Sequence, residues 1–268
     1  MKTIVQLSDI HFGRTDEKVV HSLIKSIREI NPDILIISGD LTQRAKIEEF
    51  KEAAEFISHF DAEKIIIPGN HDVPMYNLAH RFFKPFHRFK EHINPDPEPF
   101  YMDDEVAILG INTARPFTVK NGRVTERQVD LIQSRLGSAK PKTIKILVGH
   151  HPFDLPERFK RNKLVYGAHG VMQKIVDSGV DLVLGGHMHI SYIGSTTTRY
   201  KFKGKAAIVL QAATVSKRMR GEQPSFNLIK VNTGKIHIER IVWQYDSGEF
   251  QAFFPEAFEC INETWKKI

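Results

Sequence analysis

The chain has 268 residues, 41% of them hydrophobic and 26% charged, and Lys+Arg 38 against Asp+Glu 32 leave a net charge of +6. A single cysteine, Cys260, excludes an intrachain disulfide and fits a reducing compartment. No apolar run reaches the ~18 residues a membrane span needs, and the first residues lack the pattern of a signal peptide, so a soluble, cytoplasmic protein is expected. The basic balance suits an anionic substrate, nucleic acid or a membrane surface.

Residues 3–7 are apolar and β-branched, the mark of a strand. Residues 16–30 carry Val19, Val20, Leu23, Ile24, Ile27 and Ile30 near a period of 3.6, which predicts a helix stopped by Asn31-Pro32. Residues 34–37 read as a second buried strand. Residues 46–60 read as a helix with Phe50, Ala53, Ala54, Ile57 and Phe60 inward, and residues 65–67 as a third strand. Strand-helix-strand-helix-strand predicts parallel pairing with right-handed crossovers. From 73 to 100 the periodicity changes. Residues 81–90 interleave aromatics with bases and 94–99 are proline-rich and acidic, which predicts a small cap or lid inserted into one domain spanning 1–268.

Residues 106–111 resume as a strand, and Thr125-x-x-Gln128 is a capping box opening a helix through Leu136. Strands over 144–148 and 181–184 flank a helix over 171–177. After His189, β-like runs at 192–198, 206–211, 226–232 and 236–243 predict a second sheet packed on the first, with Asn232-Thr233-Gly234-Lys235 as a hairpin turn. Residues 255–267 place Phe258, Ile261 and Trp265 near helical spacing, which reads as core or dimer packing.

Five blocks stand apart: Asp9-Ile10-His11, Gly39-Asp40, Gly69-Asn70-His71-Asp72, Gly149-His150-His151 and Gly185-Gly186-His187-Met188-His189. Each holds Asp, Asn or His, which bind hard or borderline divalent metals. Nearly every block follows a strand, and an α/β sheet gathers its ligands at strand ends. Singly each block is weak, since Gly-Asp after a strand is usually a turn; their conjunction points to a metal centre. Asp40, at a tight strand-end turn, suits a carboxylate shared by two ions. Asp9 with His11, and His187 with His189, are i,i+2 pairs that converge where a strand end bends.

This set of motifs resembles the calcineurin-like metallophosphoesterase superfamily over residues 9–189. The Gly-Asn-His-Asp and Gly-His-Met-His blocks most resemble the bacterial class III cyclic-nucleotide phosphodiesterases. The resemblance implies an α/β (α+β) fold, a four-layer α-β-β-α sandwich with a small helical cap. It implies a dinuclear metal-dependent phosphoesterase that hydrolyses phosphodiesters, cyclic nucleotides such as cAMP among them, by a metal-bridging hydroxide. Matched by motif, Asp9, His11, Asp40 and His189 would hold one metal, and Asp40, Asn70, His150 and His187 the other. His71 would lie beside the leaving-group oxygen as general acid or transition-state stabiliser, with Asp72 orienting it. Manganese and iron are the expected ions, with zinc, cobalt and nickel as alternatives.

Arg115, Arg218 and Arg220 are candidate phosphate contacts. His151 reads as a packing or outer histidine and His169 as part of a plain loop. The expected partner is a small phosphodiester or nucleotide, without a stable nucleic-acid complex. Peripheral contact with the inner membrane and a homodimer are left open. One alternative is a pyrophosphohydrolase acting on a nucleotide-sugar lipid of lipid A precursor type, motivated by the basic aromatic segment. Another is a non-catalytic binding scaffold, against which the full set of ligand types speaks.

Overall fold

The computed structural model describes residues 1–160, 163–200, 205–261 and 264–268, apart from the side chain of Phe254. The amino-terminal half runs β1 (Lys2–Leu7), α1 (Glu17–Ile30), β2 (Ile34–Ser38), α2 (Ile47–Ser58), β3 (Glu63–Ile67), α3 (Leu78–Phe83), α4 (His87–His92), β4 (Phe100–Met102), β5 (Val106–Ile111) and α5 (Glu126–Arg135). It continues with β6 (Ile144–Gly149), α6 (Ala168–Asp177), β7 (Leu182–Gly185), β8 (Tyr192–Ser195), α7 (Thr196–Tyr200), β9 (Ile208–Gln211), β10 (Ser225–Asn232), β11 (Lys235–Gln244), β12 (Glu249–Ile261) and β13 (Thr264–Lys267).

Local signals fix most of these boundaries. Asp16 caps α1 by accepting from the Lys18 amide, and Asn31 closes it in the left-handed conformation just before Pro32. The Thr125–Gln128 capping box opens α5 as its sequence predicts. In α2 the inward face holds Phe56 beside Phe50, Ala53 and Ile57, while Ala54 is only half-buried.

The strands form two sheets, β13-β12-β11-β10-β1-β2-β3 and β4-β5-β6-β7-β9-β8. β1, β2 and β3 are parallel, and so are β5, β6, β7 and β9. Alternation along each strand sorts side chains between layers. Ile4, Ile34 and Ile36 face Ile108, Ile146, Val148 and Leu184 in a core between the sheets. Val5, Leu35 and Ile37 face Leu23, Ile27, Phe50 and Phe89 of the helices outside the first sheet. Leu109, Leu147 and Val183 face Val129, Ile132, Met172 and Ile175 outside the second. The result is a four-layer α-β-β-α sandwich, as expected. Among the described residues no helix is long and apolar enough to cross a membrane.

Three expectations are corrected. The strands after His189 do not make a sheet of their own. β8 and β9 extend the sheet of β5–β7, while β10 adds antiparallel to the open edge of β1, with Ile4 opposite Ile229. An apolar run shows that a strand is buried but not which edge it will join. The run at 192–198 is a strand only to Ser195 and then turns into α7. The carboxyl-terminal stretch is not helical: Phe258 lies in β12 and Trp265 in β13, paired through Cys260 opposite Trp265. Both aromatics reach the core between the sheets from separate strands, so their spacing only mimics a helix; residues 262 and 263 of that stretch lie outside the described residues. The Asn232–Lys235 hairpin forms as read, with Gly234 at φ 72°.

The basic aromatic stretch divides in two. α4 packs on α2, burying Phe89, stacking His92 on Phe50 at 6.3 Å and sending Arg88 to the Ala45 carbonyl at 2.6 Å. α3 instead meets the loop after β5: buried Arg81 donates to the Thr118 carbonyl at 2.8 Å, and Phe82 packs on Phe117 at 5.5 Å.

Candidate metal centre

β1, β2 and β3 of one sheet and β6 and β7 of the other end at one crevice. Gln6 in β1 locks the two sheets there, its amide donating 3.0 Å to the Gly185 carbonyl at the end of β7. Each strand end turns sharply. Asp9, His11, Asp40, His187 and His189 have φ between 52° and 70°, and they are five of the seven non-glycine residues with positive φ among the described residues. Left-handed backbone costs a residue with a Cβ ~1–2 kcal/mol, so the surrounding structure is holding strain where the ligand-type side chains lie. Gly186 is needed beside them because a Cβ there would lie 1.8 Å from Ser8 Oγ.

The side chains converge in two sets that meet at Asp40. His189 Nε2 lies 3.1 Å from Asp9 Oδ1 and 3.2 Å from His11 Nε2. His11 Nε2 lies 3.8 Å from Asp40 Oδ2. On the other side His150 Nε2 lies 3.3 Å from Asp40 Oδ2 and 3.3 Å from Asn70 Oδ1. Three groups of ligand atoms lie close enough to share an ion: Asp9, His11 and His189; Asp9, Asp40 and His150; and His150, His151 and His187.

Backbone carbonyls aim the imidazoles. Nδ1 of His11 faces the Thr42 carbonyl at 3.3 Å, that of His150 the Ser38 carbonyl at 2.8 Å, and that of His189 the Arg218 carbonyl at 2.6 Å. With the proton placed on Nδ1, each Nε2 presents a lone pair to the crevice, as metal-binding histidines do. Asp9 Oδ1 is buried and makes no hydrogen bond, while Oδ2 accepts from Ser8 Oγ at 2.7 Å and the His187 amide at 2.8 Å. A buried carboxylate oxygen without a donor, ringed by imidazole nitrogens, is what a cation would satisfy. The donor set therefore fits two divalent ions, with Asp40 able to touch both.

Charge within the crevice is strongly coupled. Burial opposes ionisation of Asp9, yet His189, His11 and His150 hold it well below the usual carboxylate range. Burial likewise opposes the charged form of His150, but the Asp40 carboxylate pushes it up to about 9. Asp9 raises His189 against its burial. Burial and the neighbouring His150 push His187 down to about 3.

Asp72 does a different job from the one its sequence position suggests. Its carboxylate accepts from the amides of Leu41, Thr42 and Gly69 at 3.2, 2.8 and 2.8 Å, pinning the Asp40 and Asn70 loops together. Burial and the Asp40 charge raise it to about 6. His71 is oriented instead by the Gln43 carbonyl, 2.9 Å from Nδ1. Its Nε2 accepts from Arg218 Nη1 at 3.0 Å, and burial lowers its pKa.

The three arginines part company. Arg218 reaches the crevice, with Nη1 also 3.2 Å from His11 Nε2. Arg115 folds back on its own loop, donating to the Asn112 and Ala114 carbonyls and to Gln128. Arg220 is exposed. His151 is buried against His150 and His187, its Nδ1 2.8 Å from Thr113 Oγ1. His169 sits in the first turn of α6 rather than in a loop.

The mouth above the centre is a cleft of about 100 Å³ lined by Arg44, Asn70, His71, Met75, Lys120 and Arg218, among others. A larger hollow of about 960 Å³, between the start of α1 and the β11–β12 hairpin, contains none of the crevice residues. Arg44 and Lys120 were missed in the sequence. Arg44 follows Asp40 in the same loop, which was the available signal; Lys120 reaches the cleft because Asn70 Nδ2 holds the Val119 carbonyl at 3.1 Å.

Residues 2–191 match the family model for calcineurin-like phosphoesterases. The chain belongs to the calcineurin-like phosphoesterase family. As a member it is a phosphoesterase, and its centre fits the two divalent ions of a dimetal enzyme. A probable cyclic nucleotide phosphodiesterase of Synechococcus is 25% identical over 226 residues, 78% of this chain and 81% of its own. A probable glycerophosphodiester phosphodiesterase of Arcobacter nitrofigilis is 27% identical over 165 residues, 56% of each chain. The crystal structure of a dimetal phosphatase from Danio rerio shares the fold, with a TM-score of 0.64 over 94% of this chain and 98% of its own at 10% identity.

Proposed function

We propose that the protein hydrolyses small phosphodiesters, cyclic nucleotides such as cAMP among them. Both relatives named above are called probable phosphodiesterases, one of cyclic nucleotides and one of glycerophosphodiesters. The observation that carries the reading is the pair His71 and Arg218, set beside the Asp40 carboxylate, which lies 3.8 Å from His11 Nε2 on one side and 3.3 Å from His150 Nε2 on the other. Asp9, His11, Asp40 and His189 would hold one ion, and Asp40, Asn70, His150 and His187 the other. Bound ions would polarise the phosphoryl oxygens and activate the attacking water. The mixed carboxylate, amide and imidazole set suits manganese or iron, and zinc, cobalt and nickel are compatible with it.

Arg218 is the cation at the mouth that touches His71 and His11. With a phosphodiester in the cleft its guanidinium would exchange an imidazole nitrogen for a phosphoryl oxygen, a stronger, charge-assisted bond. His71, locked at Nδ1 by Gln43, keeps Nε2 facing the cleft; once Nε2 has taken a proton from solvent, the imidazolium would pass it to the departing alkoxide. Asp72 acts at one remove, by holding the two loops in register. Tyr76, under the Arg44 guanidinium at 5.3 Å, offers a ring face for a nucleobase. We read 1–268 as one domain whose cap is confined to 73–83, because α4 belongs to the helical layer, and we place the enzyme in the cytoplasm.

Metal-stripped protein reloaded with Mn²⁺ would be assayed on bis(p-nitrophenyl) phosphate and p-nitrophenyl phosphate. A strong diester preference that Asn70→Ala abolishes is expected. Monoester preference would overturn the reading, and turnover of neither compound would favour the scaffold.

A further inference from the structure

Beside the cleft, α3 and the loop after β5 carry side chains that packing does not explain. Fifteen large hydrophobic side chains are exposed among the described residues, and six of them fall within 76–83 and 117–119. Phe83 is 86% exposed, Phe117 82% and Leu78 62%. These are not scattered singles. Phe82 packs on Phe117, and Arg81 ties α3 to the Thr118 carbonyl, so the two segments form one apolar ridge. The ridge adjoins the cleft, because Val119 lines the cleft and is held by Asn70. An exposed apolar cluster of this kind marks an interaction site.

Charge decides the partner. Segments 43–46, 73–83, 113–123 and 214–221, which supply most of the cleft lining, hold nine Arg and Lys and no acid. The whole chain's surplus is only six, so the basic character is concentrated around the mouth. Phenylalanine, leucine and valine without polar handles suit hydrocarbon, and the surrounding bases suit anionic headgroups. A nucleic-acid surface would share the charge but leave Leu78 and Val119 without a role.

We propose that the mouth face docks on an anionic bilayer, with Phe83 and Phe117 entering the headgroup–acyl boundary and the lysines and arginines meeting lipid phosphates. The metal centre then opens toward the membrane surface. The inference does not depend on which diester is hydrolysed.

The test is sedimentation of the full chain with phosphatidylcholine vesicles, with and without equimolar phosphatidylglycerol, for the parent and for Phe83→Ser/Phe117→Ser. Both positions are exposed, so unchanged thermal stability and unchanged turnover of bis(p-nitrophenyl) phosphate would confirm a folded variant. The parent should bind the anionic vesicles, weakly or not at all the neutral ones, and less as salt rises. The double variant should lose at least about tenfold in partitioning. No binding to anionic vesicles, or binding that the variant keeps, would overturn the proposal. So would a concentration-dependent dimer or an oligonucleotide complex in the parent that the variant abolishes, each of which would reassign the ridge.

Discussion

The floor of the crevice and its rim are built on opposite plans. The floor is buried and over-determined: Asp9, His11 and His150 have no exposed surface, and five ligand-type residues sit in left-handed backbone. The rim is open, basic and apolar, made of loops and one short helix, with Phe83 and Phe117 almost fully in solvent. The difference separates chemistry from recognition. A rigid floor can hold ions against the strain of its own backbone, while a rim of loops can be re-cut without disturbing it.

The sharpest way to break that division is at Asp40. Asp40→Ala should lower turnover by about 10³-fold or more and leave at most one ion bound, read by kinetics and by metal analysis. If the variant keeps two ions and full activity, the floor is not organised around that carboxylate. Arg218→Ala is next, because it lies where floor and rim meet: about 10²-fold in kcat/KM is expected, with metal content unchanged and only partial recovery in Arg218→Lys. Loss of metal in Arg218→Ala would make it part of the floor, through the carbonyl it offers His189.

The two plans should also differ in how they tolerate a methyl group. Gly186→Ala forces a Cβ to 1.8 Å from Ser8 Oγ and should cost about 3 kcal/mol in urea unfolding. Gly221→Ala in the rim has nothing within 4 Å but sits at φ +86°, so about 1 kcal/mol is expected.

A pH test isolates the floor. His150 is raised to about 9, and His189 is also raised, so both gain from being protonated in the folded, metal-free chain. Their contribution is fully present below the unfolded value near 6.5 and is lost as pH rises through the folded value. Metal-free stability should therefore fall by about 2–3 kcal/mol from pH 6.5 to 9, while metal affinity rises over the same window as protons leave the ligands. Parallel rather than opposed slopes would mean that the imidazoles are not competing with metal for the same lone pairs. The smallest effect is expected at Arg220, where Ala should change stability by less than about 0.5 kcal/mol.

The floor was legible because each ligand block directly follows an apolar run, and a buried strand of that kind announces both its own position and its exit. The helix limits were legible where a cap is written into the chain, as at Thr125 and Asn31. Sheet membership was not. β1 finds β10 across most of the chain, and nothing local in residues 225–232 names that partner. The partners of Asp72 were not legible, because adjacency to His71 says nothing about which way a side chain leaves a tight turn; it points to three backbone amides. Arg115 shows the same limit of local reading, since its guanidinium donates to carbonyls of its own loop. The rim depends on loops meeting from four parts of the chain, so Arg44, Lys120 and the Phe82–Phe117 contact had no local signature.

The most direct measurement is an anomalous-difference map from a crystal of the Mn²⁺-loaded protein. Two peaks about 3.5–4 Å apart are expected, one on each side of the Asp40 carboxylate. One should be bounded by Asp9, His11 and His189, and the other by Asn70, His150 and His187. A single peak, or two peaks that do not share Asp40, would contradict a dinuclear centre at this crevice.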